Sequence, residues 1–457
     1  MRTDNSGITW SSRTVFILAA VGSSVGLGNI WKFPYTAGEN GGSLFVITYI
    51  LSVIIIVAPI LTAELMLGRL GNQSPVDTMN KLSTEFGAHK AWRAIGWLGI
   101  LISFLVLSYF CMISGWTMAY AIKAGEGIFE SVTPNETGLI FDSFLSSPMR
   151  LVLWHLLFMC LTAFIVSRGV SKGLEKTVSF LMPIFFVMII MMAIYSSVVG
   201  DFGQGWRFMF DFDLSELKGD MILIALGQAF LSNSVAMAIM LTYGSYAPKN
   251  VSLGKSALII TSADTMVALT AGLAIFPLVF AYGLQPAEGP GLIFVTLPIA
   301  FGQMPGGQYI GVLFFVLLGI ASITSTISLM EPFVSYLIKK FNQSRRRMAL
   351  IAGTSTFLMG LLPIFSFNIW ADIFPLNWIE GFESATFFVL IDMMVNNLLL
   401  PISGLLIALF VGWKIPVLTL KENFNNAPDF IFKLWIFLIR YAVPVALLAI
   451  LGSNMII

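Results

Sequence analysis

The stretch that decides the fold is AAVGSSVGLGNIWKFP, residues 19–34. It lies within the first long apolar run, where a membrane helix ought to continue unbroken. Gly22, Ser23, Ser24, Gly26, Gly28 and Asn29 fall where leucines would serve better, and Lys32 and Pro34 follow. A helix that unwinds at mid-bilayer leaves N–H and C=O groups unpaired, which is costly unless something polar occupies the gap. Gly22, Gly26 and Gly28 are expected to make unwinding cheap, because glycine tolerates unusual dihedrals. The freed carbonyls of Gly22, Ser24 and Val25, with the Asn29 side chain, would suit a hard cation. The N–H groups opening the second half-helix would suit a carboxylate. Taken alone, the same small residues also read as a close-packing surface of the GxxxG kind.

Composition sets the class. Of 457 residues, 57% are hydrophobic and 11% charged, against about 25% charged in soluble domains. Run lengths indicate a helical integral membrane protein rather than a barrel. A formal charge of +1 gives no reason to expect a nucleic-acid partner. Cys111 and Cys160 sit in apolar runs and read as small buried hydrophobes, not a disulfide pair. His89 and His155 are far apart, so no metal cluster is expected. No nucleophile–base pair or phosphate loop suggests an enzyme. The N-terminus is short and polar and the first run too long for a signal peptide, so no cleaved leader is expected.

Runs long enough to cross fall near 14–38, 41–70, 93–123, 151–167, 176–198, 220–243, 252–283, 306–340, 348–367, 384–411 and 430–453. Eleven is odd, so the termini are expected on opposite sides. With the N-terminus inside, that side collects Arg13, Lys81, Lys90, Arg93, Arg168, Lys172, Lys176, Lys339, Lys340 and Arg345–Arg347, among others. The other side keeps Lys123, Arg150, Arg207 and Lys218. The positive-inside rule therefore predicts a cytoplasmic N-terminus and an external C-terminus. Segment 284–310, broken repeatedly by Pro and Gly, is expected to fold onto the external face as a structural cap or a lid.

The sixth run changes the reading of the first. ALGQAFLSNSVAMAIMLTYGSY, residues 225–246, groups Gln228, Ser232, Asn233 and Ser234 at mid-depth, five spans after the first interruption. Paired interrupted helices at matching positions of two halves point to an inverted-repeat transporter with a midplane site. The eighth run carries Ser322, Thr324, Ser325, Thr326 and Ser328, although such hydroxyls often only bond back to their own helix. Asp264, Glu64 and Asp392 are acids at membrane depth, which by default are functional. One of the three is expected to be a structural hydrogen bonder.

At this point the chain resembles the neurotransmitter:sodium symporter family, in its eleven-span bacterial amino-acid branch. The motifs are WSSR, GSSVGLGNIWKFPY, GENGG, AELMLGR, GQAFLS, LTYGSY, AGLAIFP and GPGLIFVTLP. The resemblance implies an all-α integral membrane fold of the leucine-transporter (LeuT) type. One transporter domain would span 1–457, with repeats over about 10–200 and 218–412 and an extra span at 430–453. It implies two sodium sites: carbonyls of Gly22, Val25 and Ala321 with hydroxyls of Thr324 and Ser325, and the Ser24 carbonyl, Asn29, Ser232 and Asp264 with the substrate carboxylate. Substrate contacts would come from Ser23, Ser24, Gly26, Leu27, Gly28, Ser232 and Ser234. The side-chain pocket would be Val106, Phe110, Phe230, Leu231, Met237, Ser325 and Leu329. Amine transporters of the family carry an aspartate at the position of Gly26; glycine leaves room for a free carboxylate, so an amino acid is expected. Lys32 and Asp392 match the outer gate, while Trp10 and Tyr246 close the inner side.

Several positions depart from the family pattern. Its third-span tyrosine is Phe110, with Tyr109 one position off, and its gating phenylalanine is Leu231. The glycines that usually follow the sixth-span polar cluster are replaced by Val235, Ala236 and Ala238. The inner-gate acid position is Lys339 and its arginine partner's position is Gly7, so that ion pair is expected to be missing. A fixed carboxylate at Asp264 is expected to replace chloride and, if it takes up a proton when sodium leaves, to carry one outward. GLEKTVSFLMP, residues 173–183, has a spacing that in the family accompanies fifth-span unwinding. The combined expectation is a sodium-coupled symporter importing a hydrophobic or aromatic amino acid through a bacterial cytoplasmic membrane, without chloride. The alternatives are a transporter-like amino-acid receptor and a sodium-linked channel. Oligomeric state has no signal in the sequence.

Overall fold

The computed structural model describes residues 9–212, 219–248, 250–286, 291–424 and 428–454. Nine helices in it are long and apolar enough to cross a membrane: Ser43–Gly71, Lys90–Gly125, Pro148–Ser167, Val170–Val199, Leu253–Ala281, Gly307–Phe341, Arg345–Phe365, Phe387–Trp413 and Asp429–Ser453. Two further crossings are made in pieces. The first span is Arg13–Ser24 and Gly28–Glu39, bent by 47°, and the sixth is Gly219–Ser232 and Ile239–Ser245. With these two, the described residues supply the eleven spans expected from hydropathy. Exposed Leu153, Phe180, Val187, Ile194 and Leu350 form the lipid-facing surface, which costs nothing in hydrocarbon. Cys111 is buried, but Cys160 lies on that exposed surface, against the expectation for both.

The third and eighth spans pack along their length, with the first and sixth beside the eighth and the seventh against the first. At one end an aromatic plug joins Trp116 and Tyr120 to Phe294 of Leu292–Thr296, at centroid distances of 5.6 and 5.1 Å. Leu292, Ile293, Phe294 and Leu297 are buried. The described part of the 284–310 segment thus docks as a cap on the bundle. The Gly173–Pro183 stretch of the fifth span remains helical, with a π-type first turn at Val170–Glu175. A side chain at Gly173 would meet the Ile165 carbonyl oxygen, so this glycine serves close packing here.

Candidate functional site: a closed cavity between two broken helices

The first break is small. The helix ends at Ser24, Val25 turns extended at ψ 108°, and a π-type turn runs over Gly28–Lys32. None of Gly22, Gly26 and Gly28 has positive φ. The expectation that they ease odd dihedrals is corrected: they permit close approach. A Cβ on Gly22 would lie 3.0 Å from Met182 Sδ, and one on Gly26 would lie 2.4 Å from Ser325 Oγ. One on Gly28 would face the Ser232 backbone at 3.4 Å. The Gly26 N–H donates to Asn29 Oδ1 at 3.0 Å, which draws it from the carbonyl four residues back.

The sixth span leaves the helix over 233–238 without a single glycine. Ser234, Ala236 and Ala238 all take left-handed φ, at 52°, 66° and 59°. Each such residue costs about 1–2 kcal/mol relative to a right-handed one, so the surroundings must hold the shape. Glu64 Oε2 accepts the Ala236 N–H at 3.0 Å, and Ser403 Oγ donates to the Ala236 carbonyl at 2.8 Å. Ser103 Oγ donates to the Met237 carbonyl at 2.5 Å. Ser24 and Ser234 tie the two breaks together through the carbonyls of Asn233 and Ser23, at 3.2 and 3.0 Å. Glu64 is thus a structural hydrogen bonder.

Between the breaks lies a narrow cavity of about 20 Å³. Its walls are Ser24, Gly26, Gly28, Val106, Phe110, Leu231, Ser232, Ser234, Met237, Ser325 and Leu329. Three residues expected at the substrate are elsewhere. Phe230 packs its ring against Gly404 of the tenth span. Leu27 is buried outside the lining, and Ser23 contributes its carbonyl to Ser234. The polar half of the cavity is backbone and small hydroxyls; the apolar half is Val106, Phe110, Leu231, Met237 and Leu329.

Next to this cavity Asp264 is fully buried. Its Oδ1 accepts Asn29 Nδ2 at 2.8 Å; its Oδ2 accepts Ser232 Oγ at 2.7 Å and Tyr49 Oη at 3.0 Å. No lysine or arginine forms an ion pair with it among the described residues. Three hydrogen bonds satisfy its lone pairs but do not cancel a whole charge, which suits the group to a cation. On the other side of the first break, the Ala321 carbonyl accepts Thr324 Oγ1 at 2.9 Å and Ser325 Oγ at 3.1 Å. Ser325 Oγ also reaches the Val25 carbonyl at 3.5 Å. This second knot is built of neutral oxygens, and a Cβ at Gly22 would stand 3.5 Å from Thr324 Cβ.

The two ends of the cavity are closed unequally. Towards Lys32, Phe110 and Leu231 line both the cavity and an antechamber of about 130 Å³, so two side chains form the partition. Beyond them Lys32 Nζ stands 3.9 Å from Asp392 Oδ2. Towards Trp10 the closure is thick. The Trp10 N–H donates to the Tyr246 carbonyl at 3.0 Å and its indole N–H to the Tyr243 carbonyl at 3.3 Å. Tyr243 shares a 2.7 Å hydrogen bond with Ser328, and Tyr246 donates to Glu331 Oε1 at 3.0 Å. Glu331 is fully buried and forks onto Arg345, whose Nε also donates to the Val166 carbonyl at 2.7 Å. Lys339 instead pairs with Asp77 at 3.2 Å; Gly7 lies outside the described residues. Glu175 accepts the Ser11 N–H at 2.8 Å.

Sequence reasoning missed Tyr49, the Ser103 and Ser403 tethers, and the Glu331–Arg345 pair. Glu331 was findable, since it is an acid in an apolar run like Asp264. Tyr49 reads as one more core aromatic in LFVITYIL, and nothing in its spacing marks it.

A helical membrane bundle with two broken helices facing a cavity between them matches a secondary transporter rather than an enzyme. The chain belongs to the sodium:neurotransmitter symporter family, whose model matches residues 8–129 and 143–456. It is 35% identical over 446 residues to YhdH, a sodium-dependent transporter of Bacillus subtilis (strain 168), covering 97% of this chain and 96% of that one. A sodium-dependent transporter of Haemophilus influenzae (strain Rd) is 30% identical, with 98% of each chain covered. The crystal structure of MhsT in complex with L-phenylalanine superposes with a TM-score of 0.89 at 37% identity, covering 98% of this chain and all of that one. The protein is a multi-pass, sodium-dependent membrane symporter with a leucine-transporter-type fold.

Proposed function

We propose that the protein imports a hydrophobic or aromatic amino acid together with sodium, independently of chloride, by alternating access. The observation that carries this reading is the buried Asp264, held by Asn29, Ser232 and Tyr49 beside a closed, half-apolar cavity. Sodium at this site would meet the Asp264 carboxylate, the Ser24 carbonyl, the Ser232 hydroxyl and Asn29. An amide nitrogen cannot ligate a cation. Asn29 therefore joins the ion only after its amide turns to exchange Nδ2 for Oδ1, which also releases the Gly26 N–H towards the substrate carboxylate. A substrate carboxylate completing the ion's shell makes the two ligands mutually stabilising, and the coupling is reciprocal. The second ion would lie among the oxygens of Gly22, Val25, Ala321, Thr324 and Ser325. Asp264 already supplies the negative charge that a bound chloride would otherwise bring, which supports chloride independence.

The lining supports the substrate class. Gly26 leaves the carboxylate end open, and Val106, Phe110, Leu231, Met237 and Leu329 offer no partner to a polar side chain. The matching breaks of the first and sixth spans support two inverted repeats over about 10–200 and 218–412, with the last span outside them. The charge bias of the loops supports a cytoplasmic N-terminus, an external C-terminus and residence in a bacterial cytoplasmic membrane. Trp10, Tyr246 and Glu331 then form the inner gate; Lys32 and Asp392 form the outer one. Uptake of radiolabelled phenylalanine, leucine, tryptophan and tyrosine into proteoliposomes tests the reading, with an inward sodium gradient and chloride replaced by gluconate. Saturable uptake that needs sodium and survives gluconate is expected. Binding without uptake would assign a receptor, uptake without saturation a channel, and indifference to sodium would remove the ion sites.

A further inference from the structure

Beside the outer gate, and separate from the substrate cavity, a chamber of about 400 Å³ opens between the outer half of the first span, the first half of the sixth, the tenth and the last. Its walls include Lys32, Glu39, Gln228, Asp392, Asn396 and, from the last span, Ile450. Two side-chain amides of its wall share one pattern. Gln228 is 3% exposed; its Nε2 donates to the Gly28 carbonyl at 2.8 Å, and its Oε1 has no partner among the described residues. Asn396 repeats the pattern, with Nδ2 on Asp392 Oδ1 at 2.7 Å and Oδ1 buried without a partner. Each amide gives one N–H to the protein and leaves its buried oxygen without a partner. Among the charges, Lys32 is matched by Asp392 at 3.9 Å, which leaves Glu39 in excess. A π-type turn at Met394–Leu399 forms the tenth-span wall that carries Asn396, and such turns favour functional positions.

We propose that this chamber is a staging site for a monovalent cation entering from outside, a partly hydrated sodium ion in the first instance. Gln228 forms its floor: it contacts Gly28, one residue before Asn29, so an ion leaving the chamber meets the ligands around Asp264 next. The inference rests on the sodium-coupled reading above and adds to it a weak outer site that raises the local sodium concentration before the gate opens. Excess negative charge in a recessed chamber attracts counter-ions and raises their on-rate. The ammonium of an arriving amino acid has the same chemistry and is the other source of such a charge.

Glu39 and Asn396 test this in opposite directions. In proteoliposomes with saturating amino acid, Glu39→Gln is expected to raise the sodium concentration for half-maximal uptake by about five-fold, and Asn396→Asp to lower it by a similar factor. The amino-acid KM at saturating sodium stays unchanged in both. Equilibrium ²²Na⁺ binding without amino acid is expected to lose a weak component in Glu39→Gln while the tighter binding persists. If instead the amino-acid KM moves and sodium activation does not, the chamber receives the ammonium group and sodium staging is overturned. If neither moves while the wild-type protein still needs sodium, the chamber holds only solvent and the proposal falls with the transporter reading intact. A wild-type protein indifferent to sodium would instead remove the reading on which it rests. Melting temperatures near that of the wild type establish that both variants are folded.

Discussion

At the scale of single residues, the decisive pair is Asp264 and Gly26. The Asp264 carboxyl sits among three hydroxyl and amide donors, with Tyr49 and Ser232 on one oxygen and Asn29 on the other. Asp264→Asn keeps the shape and removes the charge. Uptake in gluconate is then expected to fall by at least about ten-fold, and chloride to restore part of it by occupying the position between Tyr49 and Ser232. Anion-replacement assays on wild type and variant check this; a variant equally active with and without chloride would overturn it. Gly26 works by absence. A methyl there would stand 2.4 Å from Ser325 Oγ, so Gly26→Ala displaces a hydroxyl that reaches both the Val25 and Ala321 carbonyls. The variant is expected to lose sodium activation and some stability. Adding Ser325→Ala removes the clash and should restore the melting temperature but not sodium activation, because the oxygen itself is gone. Recovery of both would show that Ser325 only fills space.

At the scale of elements, the two broken helices differ in how much the sequence disclosed. The first was legible in position, since its interruption is written in glycine, serine and asparagine. Its mechanism was not, because a glycine needed for close approach and one needed for unusual dihedrals look alike until the neighbour is in place. Met182 and Ser325 decide the matter, and both are far away in sequence. The sixth break is the reverse case. Val235, Ala236 and Ala238 argue against unwinding by local propensity, yet tertiary contacts override them. Glu64 from the second span, Ser103 from the third and Ser403 from the tenth each hold one backbone group of the segment, and no local pattern encodes such pairings. This arrangement has a measurable consequence. Ala236→Gly relieves a left-handed residue worth about 1–2 kcal/mol, set against a larger entropy loss for glycine of about 0.5–1 kcal/mol. The net effect is a small gain in melting temperature. Ser403→Ala leaves the buried Ala236 carbonyl short of a donor and should cost about 1–3 kcal/mol. The two changes act on the same residue, so their combination is expected to be non-additive. Thermal unfolding of the single and double variants in detergent reads this directly, and strict additivity would mean that the serine does not set the shape of the break.

For the whole molecule, the unequal closure is the main finding. Two side chains, Phe110 and Leu231, part the cavity from the antechamber at Lys32, whereas the opposite side is sealed by Trp10, Tyr243, Tyr246, Glu331 and Arg345 in one connected network. The family resemblance led to the expectation of no inner ion pair, because the acid position is Lys339. The charge has moved instead: Glu331 lies on the eighth span, eight residues earlier, and Arg345 begins the ninth. Arg345 also holds the Val166 carbonyl near the end of the fourth span, so the pair joins the fourth, eighth and ninth spans to the N-terminal segment at Trp10 through Tyr246. Breaking a buried pair by removing one partner is strongly destabilising, by about 3–5 kcal/mol, because the other charge is left uncompensated. In a two-state gate that loss falls on the inner-closed state alone, since an open gate lets water reach the abandoned charge. Moving an equilibrium from 1:99 to 99:1 needs about 5.5 kcal/mol, so one substitution here suffices to populate the inward-open form substantially. Glu331→Gln is therefore expected to lower sodium-driven uptake sharply and to expose Ser245, which is buried beside Tyr246 when the gate is closed. A cysteine at Ser245, in a background lacking Cys111 and Cys160, should react with a membrane-impermeant thiol reagent from the inner side faster in the variant than in its parent. Tyr246→Phe removes one hydrogen bond and keeps the ion pair, so its labelling rate should lie between the two. Equal rates in all three proteins would mean that the Glu331–Arg345 pair braces the scaffold and that the aromatic contacts of Trp10 alone keep the inner side shut.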